Sequence, residues 1–151
     1  MALIRIVRDA PMPATEAWRR VTDWPAHAAL VPLTRATEVS PGPVRAGSRF
    51  TMRTGVGRAG FDDPMEVVRC EPPGAGAAGG AGAGTCRLEK RGRVVMGWAE
   101  IEVRETAPGS VRVTWTEEVR VRGVPRVCDG LVARAGRWMF GRALSGLLAD
   151  N

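Results

Sequence analysis

Four sets of residues in this chain have types and spacings that could do chemistry. GVGRAG, residues 55–60, spells the G-x-G-x-x-G of a phosphate-cradling loop. Such a loop works only between a strand and a helix, because the helix N-terminus must meet the phosphates. Here FDDPMEVV follows, in which Asp62, Asp63 and Pro64 oppose a helix nucleus and Met65, Val67 and Val68 continue as β-type sequence. The glycines are therefore read as a turn between two strands, and dinucleotide binding is set aside. The Asp62-Asp63 pair has the oxygen chemistry of a metal site. Strand neighbours point to opposite faces, however, and no His or Cys ligand spacing accompanies them, so no metal is expected. Asp63 or Arg53 is read instead as one half of a structural ion pair, or as a contact for a polar ligand group at a cavity end. His27, the only histidine, is an acid–base candidate near neutrality, with a surface or capping role as the alternative. Cys86 has no histidine assigned beside it and reads as a small buried residue rather than a nucleophile.

At 151 residues, 44% hydrophobic and 25% charged, the chain has the size and composition of one globular domain, residues 1–151. The net charge of +6 comes from arginine, since Lys90 is the only lysine. The arginines are scattered among Glu and Asp with no basic run, which argues against nucleic acid as a partner. No apolar stretch reaches spanning length and MALIRIVRDAPMP lacks a signal-peptide core, so a cytoplasmic protein is expected. Cys70, Cys86 and Cys128 lack C-x-x-C spacing and leave an odd thiol, which suits a reducing compartment.

The elements that must position these residues alternate in a simple order. LIRIVR is a strand, and PMPATEAWRRVTD gives a first short helix. Asp23 caps a second, WPAHAALV, with Pro25 in its first turn and Pro32 beyond its end. TRATEV, SRFTMRT, PMEVVRCE, CRLEKR, VVMGWAEIEVRE and SVRVTWTEEVRV supply six more strands. Residues 72–85, Gly/Ala-rich, read as a mobile hairpin loop. A long helix closes the chain at about 129–148, with Asp129 as its N-cap and Val132, Ala135, Met139 and Ala143 on one stripe.

This α+β order, together with APMPATEAWRRVTDWPAH, GSRFTMRTG, FDDPMEVV and the pairing of VVMGWAEIEV with VRVTWTEEV, resembles the START/Bet v 1-like (SRPBCC) superfamily over nearly the whole chain. The closest branch in pattern is the bacterial polyketide cyclase/dehydrase-like one. The resemblance implies a helix-grip fold, in which a seven-stranded curved antiparallel sheet wraps the C-terminal helix. It also implies a cavity for a small hydrophobic ligand, aromatic or polyketide-like, with no cofactor.

Register places the residues on that cavity. A two-residue turn at Gly92-Arg93 pairs Leu88 with Gly97 and Cys86 with Ala99; the turn at TAPGS pairs Val103 with Val113, Ile101 with Trp115, Ala99 with Glu117 and Gly97 with Val119. The odd residues from Val95 to Val119 then share an apolar inner face, while Arg87, Glu89, Glu100, Glu102 and Thr116 face water. Trp98 falls on the outer face, where it can stack on Arg87 or mark a dimer contact. Small residues, Gly97 and Ala99 on the sheet and Gly136, Gly141 and Gly146 on the helix, are expected to leave volume unfilled. The expected lining runs from Met52, Arg53 and Met65 through Cys86 and Leu88 to Gly97, Ala99 and Ile101. Trp115, Glu117 and Val119 continue it, and Val132, Ala135 and Met139 cover it from the helix.

Glu117 is the exception in the apolar row. Buried, it would favour its protonated form and serve as a general base or a hook for a ligand hydroxyl or amine. The alternatives are a bulge at TEEV that turns it to solvent, or an ion pair with an arginine. Three functions follow: a binder of a small hydrophobic molecule, a cyclase/aromatase-type enzyme in which Glu117, with His27 or Arg53, moves the protons, or an interaction module without a cavity. A monomer or weak homodimer is expected.

Overall fold

Period-two burial builds the sheet. In the last strand Val111, Val113, Trp115, Glu117 and Val119 are buried, and the residues between them are exposed or half-buried. The computed structural model describes residues 2–74 and 83–149. Its strands are β1 (Ala2–Ala10), β2 (Thr34–Thr37), β3 (Arg49–Val56), β4 (Ala59–Glu71), β5 (Ala83–Arg91), β6 (Val95–Ala107) and β7 (Ser110–Val121). Short helices α1 (Ala14–Val21) and α2 (Trp24–Ala29) follow β1, and α3 (Asp129–Leu148) ends the chain. All neighbours in the sheet are antiparallel, in the order β1-β7-β6-β5-β4-β3-β2. Of the expected Gly/Ala loop, residues 75–82 lie outside the described residues, and β5 already begins at Ala83.

GVGRAG is the β3–β4 hairpin, as its neighbours required. Gly55 faces Gly60, Val56 faces Ala59, and Gly57 takes a left-handed φ of 58° at the turn. A strand, not a helix, follows, so no helix N-terminus meets these glycines.

The helix starts are set locally. Asp23 accepts a hydrogen bond from the Ala26 amide at 3.1 Å and caps α2, with proline in the first turn. Asp129, expected as the N-cap of α3, lies in its first turn instead. A 3-10 turn at Arg126–Cys128 runs directly into the helix and moves the cap position to Cys128.

The packed stripe of α3 differs in part from expectation. Ala133, Gly136, Gly141, Ala143, Leu144, Leu147 and Leu148 are buried, and Val132 and Phe140 are half-buried and packed against the core. Ala143 and Val132 thus hold as expected, whereas Met139 is only half-buried and Ala135 is exposed. Close approach of β1 selects this face, because a Cβ at Gly136 would press on the δ-methyl of Ile4. Gly141 likewise makes room for Arg8 and Gly146 for Leu30. Gly141 and Gly146 therefore let strand and helices approach, whereas Gly136 both admits Ile4 and lines the space between sheet and helix.

Candidate functional site

The β6–β7 register is the expected one, with Val103 facing Val113, Ile101 facing Trp115, Ala99 facing Glu117 and Gly97 facing Val119. The β5–β6 hairpin differs by two residues. Its loop is longer than two residues, so Lys90 faces Gly97, Leu88 faces Ala99 and Cys86 faces Ile101. A shift of two preserves which side chains face inward. Trp98 is accordingly on the outer face, with the Arg87 guanidinium 3.9 Å from its ring centre.

A cavity of about 450 Å³ lies between the concave sheet, α2 and the N-terminal half of α3. Met52, Met65, Leu88, Ala99, Trp115 and Val119 line it from the sheet, and Val132, Ala135 and Met139 from the helix. Trp138, 62% exposed, and Phe61 also border it, which puts its opening beside the exposed side of α3. Trp24 stacks on Phe50 at 4.4 Å and Trp115 on Phe140 at 5.9 Å, with the His27 ring 5.6 Å from Trp24 and 5.1 Å from Trp115. The walls are thus aromatic on two sides.

Four expected lining residues do not reach this space. Arg53 is on the other face of β3, 3.1 Å from Asp62 Oδ1. Cys86 and Ile101 are wholly buried in the core. Burial pushes the Cys86 thiol up to about 12, so it is no nucleophile near neutrality. Gly97 has a φ of 131°, and its α-carbon passes so close to the Glu118 carbonyl that no side chain fits. Its smallness serves backbone contact rather than ligand space.

Glu117 is on the cavity wall and 1% exposed, so no bulge turns it outward. Its partner is Lys90, not an arginine. Lys90 Nζ is 3.2 Å from Glu117 Oε1 and donates to Asp63 Oδ2 at 2.7 Å and to Met65 Sδ at 3.7 Å. Trp115 Nε1 donates to Glu117 Oε2 at 3.0 Å. Three strands thus bring one ammonium and two carboxylates together: β4 with Asp63, β5 with Lys90 and β7 with Glu117. The Lys90 side chain is 4% exposed and also borders the cavity.

Burial alone would push the Lys90 ammonium down, but the Glu117 and Asp63 charges more than offset this and hold it above the usual lysine value. It stays a cation and is not available as a free amine for carbonyl chemistry. Asp63 is pushed up, first by burial and further by the Glu117 charge, with Lys90 opposing. Its Oδ1 and Trp24 Nε1 are buried and have no hydrogen-bond partner among the described residues.

His27 is buried on α2, and its Nε2–H donates to the Val21 carbonyl at 2.6 Å. Burial pulls it down to about 4, despite that hydrogen bond. At neutral pH it is therefore an uncharged ring anchored by one nitrogen. A depressed histidine contributes stability above its ordinary value of 6.5 and loses it as pH falls toward about 4. Thermal melts across that range should show an acid limb that His27→Gln flattens; an unchanged limb would place the acid sensitivity elsewhere.

Among the described residues, no three His, Cys, Asp or Glu side chains are grouped to hold a metal, and no helix is long and apolar enough to cross a membrane.

No family model matches the chain, and no curated protein sequence does. Solved structures do. The chain is similar to a protein from Thermus thermophilus, with a TM-score of 0.70 at 13% identity over 96% of this chain and 93% of that one. A START superfamily protein from Mycobacterium smegmatis gives 0.67 at 13% identity, over 98% and 97%. The fold is the helix-grip fold. The di-domain ARO/CYC BexL of the BE-7585A biosynthetic pathway shares it, at a TM-score of 0.63 and 15% identity over 98% of this chain and 45% of that one. In this helix-grip chain the grip is completed by α3 lying on β1, where Gly136 meets Ile4.

Proposed function

We propose that this protein binds a small hydrophobic molecule, aromatic or polyketide-like, in the cavity between sheet and α3. The supporting observation is the cavity itself, about 450 Å³ walled by aromatic, methionine and aliphatic side chains with one charged cluster. Space of this size and lining suits a small apolar ligand held by contact area, with few polar groups to orient it. Helix-grip neighbours with START and ARO/CYC in their names support the same reading. Met52, Met65, Leu88, Ala99, Trp115, Val119, Val132, Ala135 and Met139 would make the apolar contacts.

Native mass spectrometry of the purified protein, with thermal-shift screening against planar aromatics, fatty acids and flavonoid-like polyketides, tests it. A retained or stabilising apolar ligand is expected. Ala135→Trp, at an exposed position on the rim, should abolish that stabilisation while leaving the unliganded melting temperature nearly unchanged. Stabilisation that survives Ala135→Trp and a cavity-filling Ala99→Leu would place the ligand elsewhere.

A second reading, a cyclase/aromatase-type enzyme, is favoured by the two carboxylates on the cavity wall. Asp63, whose proton affinity is raised by burial, is better suited to proton transfer than His27, which burial holds neutral. Turnover lost in Asp63→Asn with ligand binding retained would select this reading over simple binding.

A further inference from the structure

The Asp63–Lys90–Glu117 cluster carries more than the binding reading uses. Fully ionised, it sums to one negative charge in a site nearly closed to water, because a single ammonium serves two carboxylates. Three of the four carboxylate oxygens have partners. Oδ2 of Asp63 and Oε1 of Glu117 meet Lys90, and Oε2 of Glu117 meets Trp115. The fourth, Asp63 Oδ1, is buried and has no hydrogen-bond partner among the described residues. A buried carboxylate oxygen left this way is costly, and its natural complement is a cationic N–H donor.

Asp63 is 8% exposed and lines the cavity, and the terminal torsion of an aspartate is broad, so rotation of the carboxylate can turn Oδ1 toward a ligand there. Lys90 cannot fill the gap. Its three donors are already directed at Asp63 Oδ2, Glu117 and Met65. Among the described residues no arginine lines this cavity.

From these observations we infer that the cavity selects an apolar, ring-bearing molecule carrying one protonated amine, with the ammonium on Asp63 and the ring among Trp24, Phe50, Trp115 and Phe140. This rests on the cavity reading and adds the ligand's charge to it. Binding closes the cluster at zero net charge and gives Asp63 Oδ1 its donor. An anionic ligand of the same shape would add a second uncompensated negative charge and is excluded.

The test compares three probes of near-identical shape, naphthylethylamine, ethylnaphthalene and naphthylacetate, by indole fluorescence titration of the full chain near neutral pH. The expected order is amine, then hydrocarbon, then acid, with the amine at least about tenfold tighter than the hydrocarbon. In Asp63→Asn the amine preference should vanish while ethylnaphthalene binds as before. Hydrocarbon binding equal to or tighter than the amine in the native chain overturns the inference and leaves the cavity reading standing. Binding of none of the three overturns both. If Asp63→Asn does not fold, the order in the native chain decides alone; an amine preference that persists in folded Asp63→Asn removes Asp63 as its cause.

Discussion

Lys90→Met is expected to cost about 3–5 kcal/mol of folding stability, the range for removing one partner of a buried charge pair. Methionine fills nearly the same volume, so packing loss is small and the effect is electrostatic. Asp63 and Glu117, each buried and both within reach of Nζ, would face each other without a cation between them. The sign of the pH dependence follows from the two shifts. Lys90 is raised, so its contribution is present at all pH values below the ordinary lysine range and is lost only as pH rises through its folded value. Asp63 is also raised, so the folded state keeps its proton where the unfolded chain has released it, and its charge costs stability once the pH is above that range. Without Lys90 that cost grows. The deficit of Lys90→Met, measured by urea denaturation, should therefore shrink as pH falls and Asp63 protonates. Adding Asp63→Asn and Glu117→Gln should restore most of the loss. A deficit independent of pH would mean that Lys90 acts by packing alone.

Gly97→Ala should be about as damaging, at least about 3 kcal/mol, although it adds a single methyl group. The φ of 131° is one that L side chains rarely adopt, and the new Cβ would be driven into the Glu118 carbonyl oxygen of the neighbouring strand. That obstacle is backbone in the middle of the β6–β7 ladder, which cannot rotate away. Gly136→Ala is the control. Its Cβ meets only the end of the flexible Ile4 side chain, so rotamer adjustment should hold the loss below about 1.5 kcal/mol. Equal losses at the two sites, in parallel thermal melts, would refute the distinction between backbone and side-chain obstacles.

Most of the architecture was legible because it rests on alternation and turn chemistry. The β6–β7 register follows from one turn between two long alternating strands, and it placed Ala99 against Glu117 correctly. The β5–β6 register was misjudged because KRGRVV looks like a two-residue turn, yet the error of two left every side chain on its proper face. Lys90 was within reach of the same reasoning. It shares parity with Leu88 and Cys86, and a lone lysine among arginines on an inward position is a signal in itself. Asp63 was harder, since its approach to Lys90 depends on the β4–β5 register, which shifts at Val67/Arg69 and spans the Gly/Ala segment. The stripe of α3 could not be chosen from periodicity, because glycines at 136 and 141 look neutral until β1 is packed on them.

The order of the sheet has a bearing on how the chain reaches this state. β1 precedes the other strands, but among the described residues it pairs only with β7, with Ala2 facing Val119 and Ala10 facing Val111. During synthesis β1 meets this partner only once β7 has emerged, and α3, which follows β7, seats on β1 later still. Closure of the sheet at β1 is thus a long-range pairing, of the kind that slows folding. Until that step a growing chain has an open β7 edge and no finished pocket.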